Sequence, residues 1–234
     1  MKSASEKGYF ITGTDTEIGK TLVSVLVMQK LKSVFSTVLG FKPVVAGLSE
    51  IDGSLRNEDV VVLQKFGSIP TSEKEVCPYR LRDAIAPHLA AKKEKVSLSL
   101  DVMIQGFDAM QRKSDMIVVE GVGGFLVPLN SNSDTATFSI AIGLPVILVV
   151  GMRLGCLNHA MLTAEAIQSR GLRLVGWVAN CVEAAMETDV LEGNIETLTH
   201  SIDAPRLGVI PFIHGLKTPY KVDDVIPLQN IIKI

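Results

Sequence analysis

The chain reads as a single α/β domain over residues 1–234, with a mostly parallel sheet flanked by helices on both faces. Three observations lead there. Apolar runs at 9–11, 37–41, 116–119, 146–150, 174–178 and 207–210 alternate with helical stretches at 21–32, 57–66, 98–112, 158–170 and 188–201. Such alternation builds βαβ units whose strands lie parallel. Hydrophobic residues make up 47% of the sequence and aromatics only 5%, an aliphatic composition that suits strands buried on both faces. The first run also feeds a small-residue turn that opens onto the periodic segment from Leu22 to Leu31.

That first unit, GYFITGTDTEIGKT, has the strand–loop–helix layout of a phosphate-binding loop, which marks the sheet as P-loop NTPase-like. Backbone N–H groups and a helix N-terminus together form a positive concavity for a polyphosphate. Lys20 would reach the β- and γ-phosphates, and the Thr21 hydroxyl would sit on Mg²⁺. Gly13 lies six positions before Gly19, one more than in the usual G-x-x-x-x-G-K-[ST], and Thr14 stands where the first glycine is expected. The competing account, a glycine turn before a helix that starts with Lys-Thr, leaves the flanking strand and helix unexplained.

The later strands end in residues suited to a shared rim, since ligands of such sheets bind beyond the carboxyl ends of the strands. Lys42 follows the second run, and Pro43 biases it away from helix, fixing where its side chain leaves the sheet. Taken alone, it reads equally as a solvated surface lysine. Residues 43–97 are the least regular part and are expected to hold surface loops and substrate contacts; Asp59 within them is a metal-ligand candidate or a helix N-terminal acid. Glu120 ends MIVVE and precedes Gly121, Gly123 and Gly124, an arrangement suited to a carboxylate on Mg²⁺ with backbone close to ligand. The apolar run 140–152 contains Gly143 and Pro145 and reads as a buried strand with its approach. Cys156 falls in a turn before a helix without a base beside it, and His88 and His159 have no partner at metal or triad spacing. Trp177 is read as core. Asn180, just past a strand, is an adenine reader or a turn former. The segment 219–234 receives no role.

Composition narrows the classes. A formal net charge of −2 argues against a general nucleic-acid or membrane-surface role. Three dispersed cysteines without metal-ligand spacing fit free thiols in a reducing compartment. The opening MKSASEKGYF lacks an apolar signal core, so a cytoplasmic location is expected.

Taken together, GTDTEIGKT, FKPV, VEGVGGFLVPL, VILVVGMRLGCLNHAMLT and GWVANC, in this order between residues 8 and 212, resemble the dethiobiotin synthetase family. The extra loop residue is part of that resemblance, because GTDT-x-x-GKT distinguishes the family from ordinary Walker loops. The resemblance implies an ATP- and Mg²⁺-dependent ring closure in biotin synthesis. Its substrates would be 7,8-diaminononanoate, CO₂ and ATP, and it would proceed through a carbamate and a carbamic–phosphoric anhydride. It also implies roles. Glu17, Ile18, Gly19, Lys20, Thr21 and Leu22 would hold the phosphates, with Thr16 and Lys20 at the γ-phosphate. Lys42 would stabilise the carbamate and its phosphorylation; Thr21, Asp59 and Glu120 would supply the Mg²⁺ shell, beside Gly121, Val122 and Gly123. Asn180 and Cys181 would meet the base, lined by Ile210, Pro211 and Phe212. Leu154, Gly155, Cys156, Leu157 and Asn158 would bind the substrate carboxylate across a homodimer interface.

Three positions depart from the family pattern: Ala46 where KPVxSG commonly has serine, Arg153 where many members have lysine, and Cys181 where relatives often carry a polar or acidic residue. The lost hydroxyl at Ala46 would weaken substrate binding by ~1 kcal/mol unless water replaces it. Two other readings fit less well. An amidotransferase or cobyrinate-type synthetase would carry a glutaminase region for which 234 residues leave no room. A partitioning or regulatory ATPase would carry an early second lysine, as in KGG-x-GKT, where this loop has Asp15-Thr16.

Overall fold

The computed structural model describes residues 7–183, 187–216 and 234. In chain order the elements begin with β1 (Gly8–Gly13), α1 (Lys20–Lys32), β2 (Val38–Phe41), β3 (Val44–Ala46), β4 (Ser49–Ile51) and β5 (Ser54–Arg56). Next come α2 (Glu58–Lys65), α3 (Glu73–Val76), β6 (Tyr79–Leu81), α4 (Pro87–Glu94), α5 (Leu100–Arg112) and β7 (Met116–Glu120). The last are α6 (Thr135–Ile142), β8 (Val146–Met152), α7 (Cys156–Gln168), β9 (Leu174–Cys181), α8 (Thr188–Ser201) and β10 (Arg206–Ile210).

All six expected strands enter one sheet, in the order β10-β9-β8-β1-β7-β2, and every pairing in it is parallel. Strands β7 and β8 are buried at every residue, as two-sided covering by helices requires. Trp177 is fully buried, as expected of a core side chain. The strand order reverses at β1, the point where the chain steps first to one side and then to the other. Such a switch point opens a crevice at the carboxyl ends of the strands, and the loop 14–19 lies there. Helix α1 is buried at every residue from Lys20 to Met28, because it is packed against the sheet and α2 rather than lying at the surface.

Several boundaries differ from the sequence expectation. The run 140–152 is not one strand with its approach: Ile140–Ile142 close α6, Gly143 caps it at φ 64°, and β8 starts at Val146. α6 carries no charged residue, and its hydroxyls at Thr135, Thr137 and Ser139 fall on both sides, so it shows no polar face; its signal is the Asp134 cap, whose carboxylate accepts from Thr137 N–H at 2.7 Å. The irregular 43–97 region holds two small two-stranded sheets and three helices, two of which have legible starts: the Ser72–Glu75 capping box of α3 and Pro87 at the first turn of α4. α7 begins at Cys156 instead of near Asn158, so Cys156 is a buried first-turn residue and not part of an open turn. β9 runs on to Cys181, which places Asn180 inside the strand, paired with Ile210 and Gly151. The segment 219–233 and residues 1–6, on which the leader expectation partly rests, lie outside the described residues.

Candidate active site

The loop between β1 and α1 is shaped by two left-handed residues. Glu17 has φ 57° and Gly19 φ 86°. A non-glycine residue in that region is strained by about 1 kcal/mol or more, and here it lets the extra residue of the loop fold back before the helix. Gly19 has no alternative: a Cβ there would lie 2.2 Å from Nδ2 of Asn180. That amide donates to the Ile18 carbonyl at 2.8 Å, so the end of β9 is stitched onto the loop. One donor of Asn180 is thus committed, which leaves its other N–H and its oxygen for a ligand. Gly13 is similarly constrained, because a Cβ on it would lie 2.5 Å from the Ile18 side chain.

Lys20 is buried at the first position of α1, and its Nζ donates to the Asp15 carbonyl at 2.7 Å. Burial, reinforced by the neighbouring charge of Lys42, lowers its pKa to about 8. Lys42 is also buried but has partners: Glu120 Oε1 at 2.5 Å, Asp59 Oδ2 at 3.1 Å and the Gly121 carbonyl at 3.2 Å. Burial would lower its pKa, yet Asp59 and Glu120 more than offset that and hold it above the usual lysine value. The carboxylates diverge in turn. Burial, with Asp59 adding repulsion, raises Glu120; for Asp59, Lys42 and the Thr21 hydroxyl outweigh burial and lower it.

Thr21 Oγ1 lies 2.7 Å from Asp59 Oδ1 and 2.9 Å from Glu120 Oε1. A hydroxyl has one proton and donates to only one of them; a cation among the three oxygens would relieve the other approach. Glu120 Oε2 is buried without a partner. This donor set of two carboxylates and a hydroxyl fits a hard divalent cation such as Mg²⁺, which fills its remaining positions with phosphate and water. Among the described residues there is no cluster of three or more His, Cys, Asp or Glu that would hold a metal alone.

These groups converge on a cleft of about 690 Å³. It is lined by the expected Thr16, Glu17, Gly19, Lys20, Thr21 and Leu22 from the loop and α1. From the other strand ends come Lys42, Ala46, Asp59, Glu120, Val122, Gly123, Asn180, Cys181, Pro211 and Phe212. Ile18 and Ile210 lie beneath its floor, fully buried, and Gly121 contributes its carbonyl to Lys42. Residues 154–158 do not line it: Leu154 is 98% exposed and Cys156 is buried in the first turn of α7. Arg153 joins that segment to the loop through its contact with the Asp15 carboxylate. Sequence reasoning missed Gly47, Ser49, Asn57, Val182, Ile213 and Leu216 on the cleft wall. Of these only Asn57 had a local signal, as a capping residue before the acidic first turn of α2.

A family model described as an AAA domain matches residues 7–220. The chain is 47% identical over 202 residues to the ATP-dependent dethiobiotin synthetase BioD of Ralstonia nicotianae, covering 86% of this chain and 87% of that protein. It is 41% identical over 227 residues to the protein of the same name from Vibrio parahaemolyticus, covering 95% and 98%. The chain belongs to the dethiobiotin synthetase family. Solved structures similar to this dethiobiotin synthetase family member share its fold alone. The MinD cell division protein of Aquifex aeolicus matches with a TM-score of 0.53 at 14% identity, covering 90% of this chain and 84% of that one. MinD of Pyrococcus horikoshii, complexed with Mg-ADP, matches at 0.52 and 17%, covering 88% and 81%. No described helix is long and apolar enough to cross a membrane.

Proposed function

We propose that this chain, acting as one domain over 1–234, closes the cyclic urea of dethiobiotin from 7,8-diaminononanoate, CO₂ and ATP. One amine takes up CO₂ as a carbamate. The γ-phosphoryl of ATP passes to a carbamate oxygen, giving a carbamic–phosphoric anhydride and ADP. The second amine then attacks the carbonyl, the phosphate leaves with the C–O bond electrons, and the nitrogen's proton goes to solvent. The observation that carries this reading is the placement of Lys42 within one cleft beside Lys20, Thr21, Asp59 and Glu120, in a chain of this family.

The protein's part is positioning and charge. Loop N–H groups and Lys20 hold the β- and γ-phosphates, with Thr16 at the transferred group. Lys42 sits where a carbamate anion would meet the γ-phosphate and stabilises the charge that develops there. Thr21, Asp59 and Glu120 would hold Mg²⁺, which when bound neutralises phosphate charge. Asn180, Cys181, Pro211 and Phe212 are assigned to the base end and Ala46 to the substrate side; all five line the cleft. Incubation with ATP, Mg²⁺, bicarbonate and the diamine is expected to yield cyclic urea with stoichiometric ADP and phosphate. Absence of the urea would sink the reading. In the same assay Ala46→Ser is expected to lower KM for the diamine up to about tenfold, the worth of one hydrogen bond.

The segment 154–158 enters the reaction only through a second copy of the chain, and we assign it to a homodimer interface. Supporting this, Leu154 just before α7 is 98% exposed, and Met161 and Leu162 on α7 are 40% and 57% exposed. Leu154→Asp is expected to shift the protein from dimer to monomer by sedimentation. A wild-type monomer at assay concentrations would refute the assignment.

A further inference from the structure

The side chain of Asn57 is bonded at both ends. Its oxygen accepts from the N–H groups of Asp59 at 3.0 Å and Val60 at 3.3 Å, capping α2. Its Nδ2 donates to the Gly47 carbonyl at 2.8 Å. The first contact orients the turn that presents Asp59 to Thr21 and Lys42. The second reaches Gly47, which lines the same cleft next to Ala46. Gly47 itself sits at φ 98°, tight against Ala84, and its N–H and that of Leu48 bond the Leu81 and Arg82 carbonyls at 3.0 Å. One amide therefore ties the turn that carries Asp59 to the lining segment at 46–48, so that a displacement of either is felt by the other.

We propose that Asn57 is a positioning residue that fixes the distance between the phosphate-and-cation side of the cleft and its substrate wall, and so sets affinity for the diamine. The proposal rests on the function read above. A plain helix cap would need only the oxygen; the donated bond to Gly47 is surplus to capping and has its effect on the lining segment at 46–48.

Serine separates the two contacts. As a cap it is the equal of asparagine, but it has no amide donor to reach Gly47. Asn57→Ser is expected to raise KM for the diamine about threefold to tenfold, the worth of one lost hydrogen bond. Its kcat, KM for ATP and melting temperature are expected to stay at wild-type values. Asn57→Ala, lacking both contacts, is expected to lower kcat and the melting temperature as well. Amide hydrogen exchange of Gly47 and Leu48 in the protein without substrates is expected to quicken in Asn57→Ser. The inference is overturned if Asn57→Ser leaves the diamine KM and this exchange unaltered, or if kcat and melting temperature fall together with KM, since that pattern marks a merely structural cap. Should the wild type close no ring, the functional reading falls, and the exchange result still decides whether Asn57 holds the substrate wall.

Discussion

Lys20→Met is expected to cut the rate of ring closure by roughly 10²- to 10³-fold while leaving the protein as stable as the wild type or more so. On the proposed function, the loss of rate follows from removing the cation assigned to the β- and γ-phosphates. The gain in stability follows from its burial: Lys20 is 6% exposed and its pKa is lowered from 10.5 to about 8. A depression of that size means the charged side chain is disfavoured in the fold by roughly 3 kcal/mol at neutral pH. The sign can be checked with pH. The unfolded chain keeps its proton up to 10.5 while the fold sheds it near 8, so wild-type stability contains a component that rises with pH across that window and is absent below it. Lys20→Met, with no group to titrate, should lack that component. At neutral pH it should melt a few degrees higher, since 1 kcal/mol moves a chain of this size by about 2–4 °C. A variant that melts lower than wild type, or keeps its rate, would refute this account of Lys20.

Lys42→Met is expected to lose rate by a similar roughly 10²- to 10³-fold but to lose stability too. Its ammonium is the shared counter-charge of Glu120, which is fully buried, and of Asp59. Removing one partner of a buried pair leaves the other uncompensated, at about 3–5 kcal/mol, or roughly 10 °C in melting temperature. Adding Glu120→Gln removes the orphaned charge, so the double variant should regain most of the stability and none of the rate. Thermal melts and turnover of the two single variants and the double variant test this; a double variant no more stable than Lys42→Met would show that the pair does not act as described. Two lysines in one cleft thus have opposite signs in stability and the same sign in catalysis.

Most of the sheet and much of the site were readable before the structure. Each of the six aliphatic runs became a strand of the main sheet because period and β-branched content depend on neighbours a few residues apart. The GKT turn, Lys42-Pro43, Glu120 before glycines, and Asn180 each stood near a strand end, and parallel topology brings such ends to one rim. What could not be read had no local contrast. α6 has no charged residue and no polar face, and the lining at 47–49, Ile213 and Leu216 meets the cleft only through how distant segments fold together. The segment 154–158 illustrates the limit from the other side: its motif pointed to substrate, yet it lies outside this chain's cleft.

Local order in the chain specifies which chemical groups are present, their strand-end positions and the variant phosphate loop, since these depend on spacing along the backbone. Folding alone establishes how those groups feel one another. Thr21 meets Glu120 across 99 residues and Lys42 meets it across 78, distances over which sequence pattern carries no information about contact. Burial then separates otherwise equivalent side chains: two carboxylates in direct contact outweigh burial at Lys42, whereas the more distant ones around Lys20 do not, so one is held charged and the other has its pKa lowered. The difference comes from the low dielectric of the cleft floor and the geometry of its ion pairs, and neither exists until the sheet has closed.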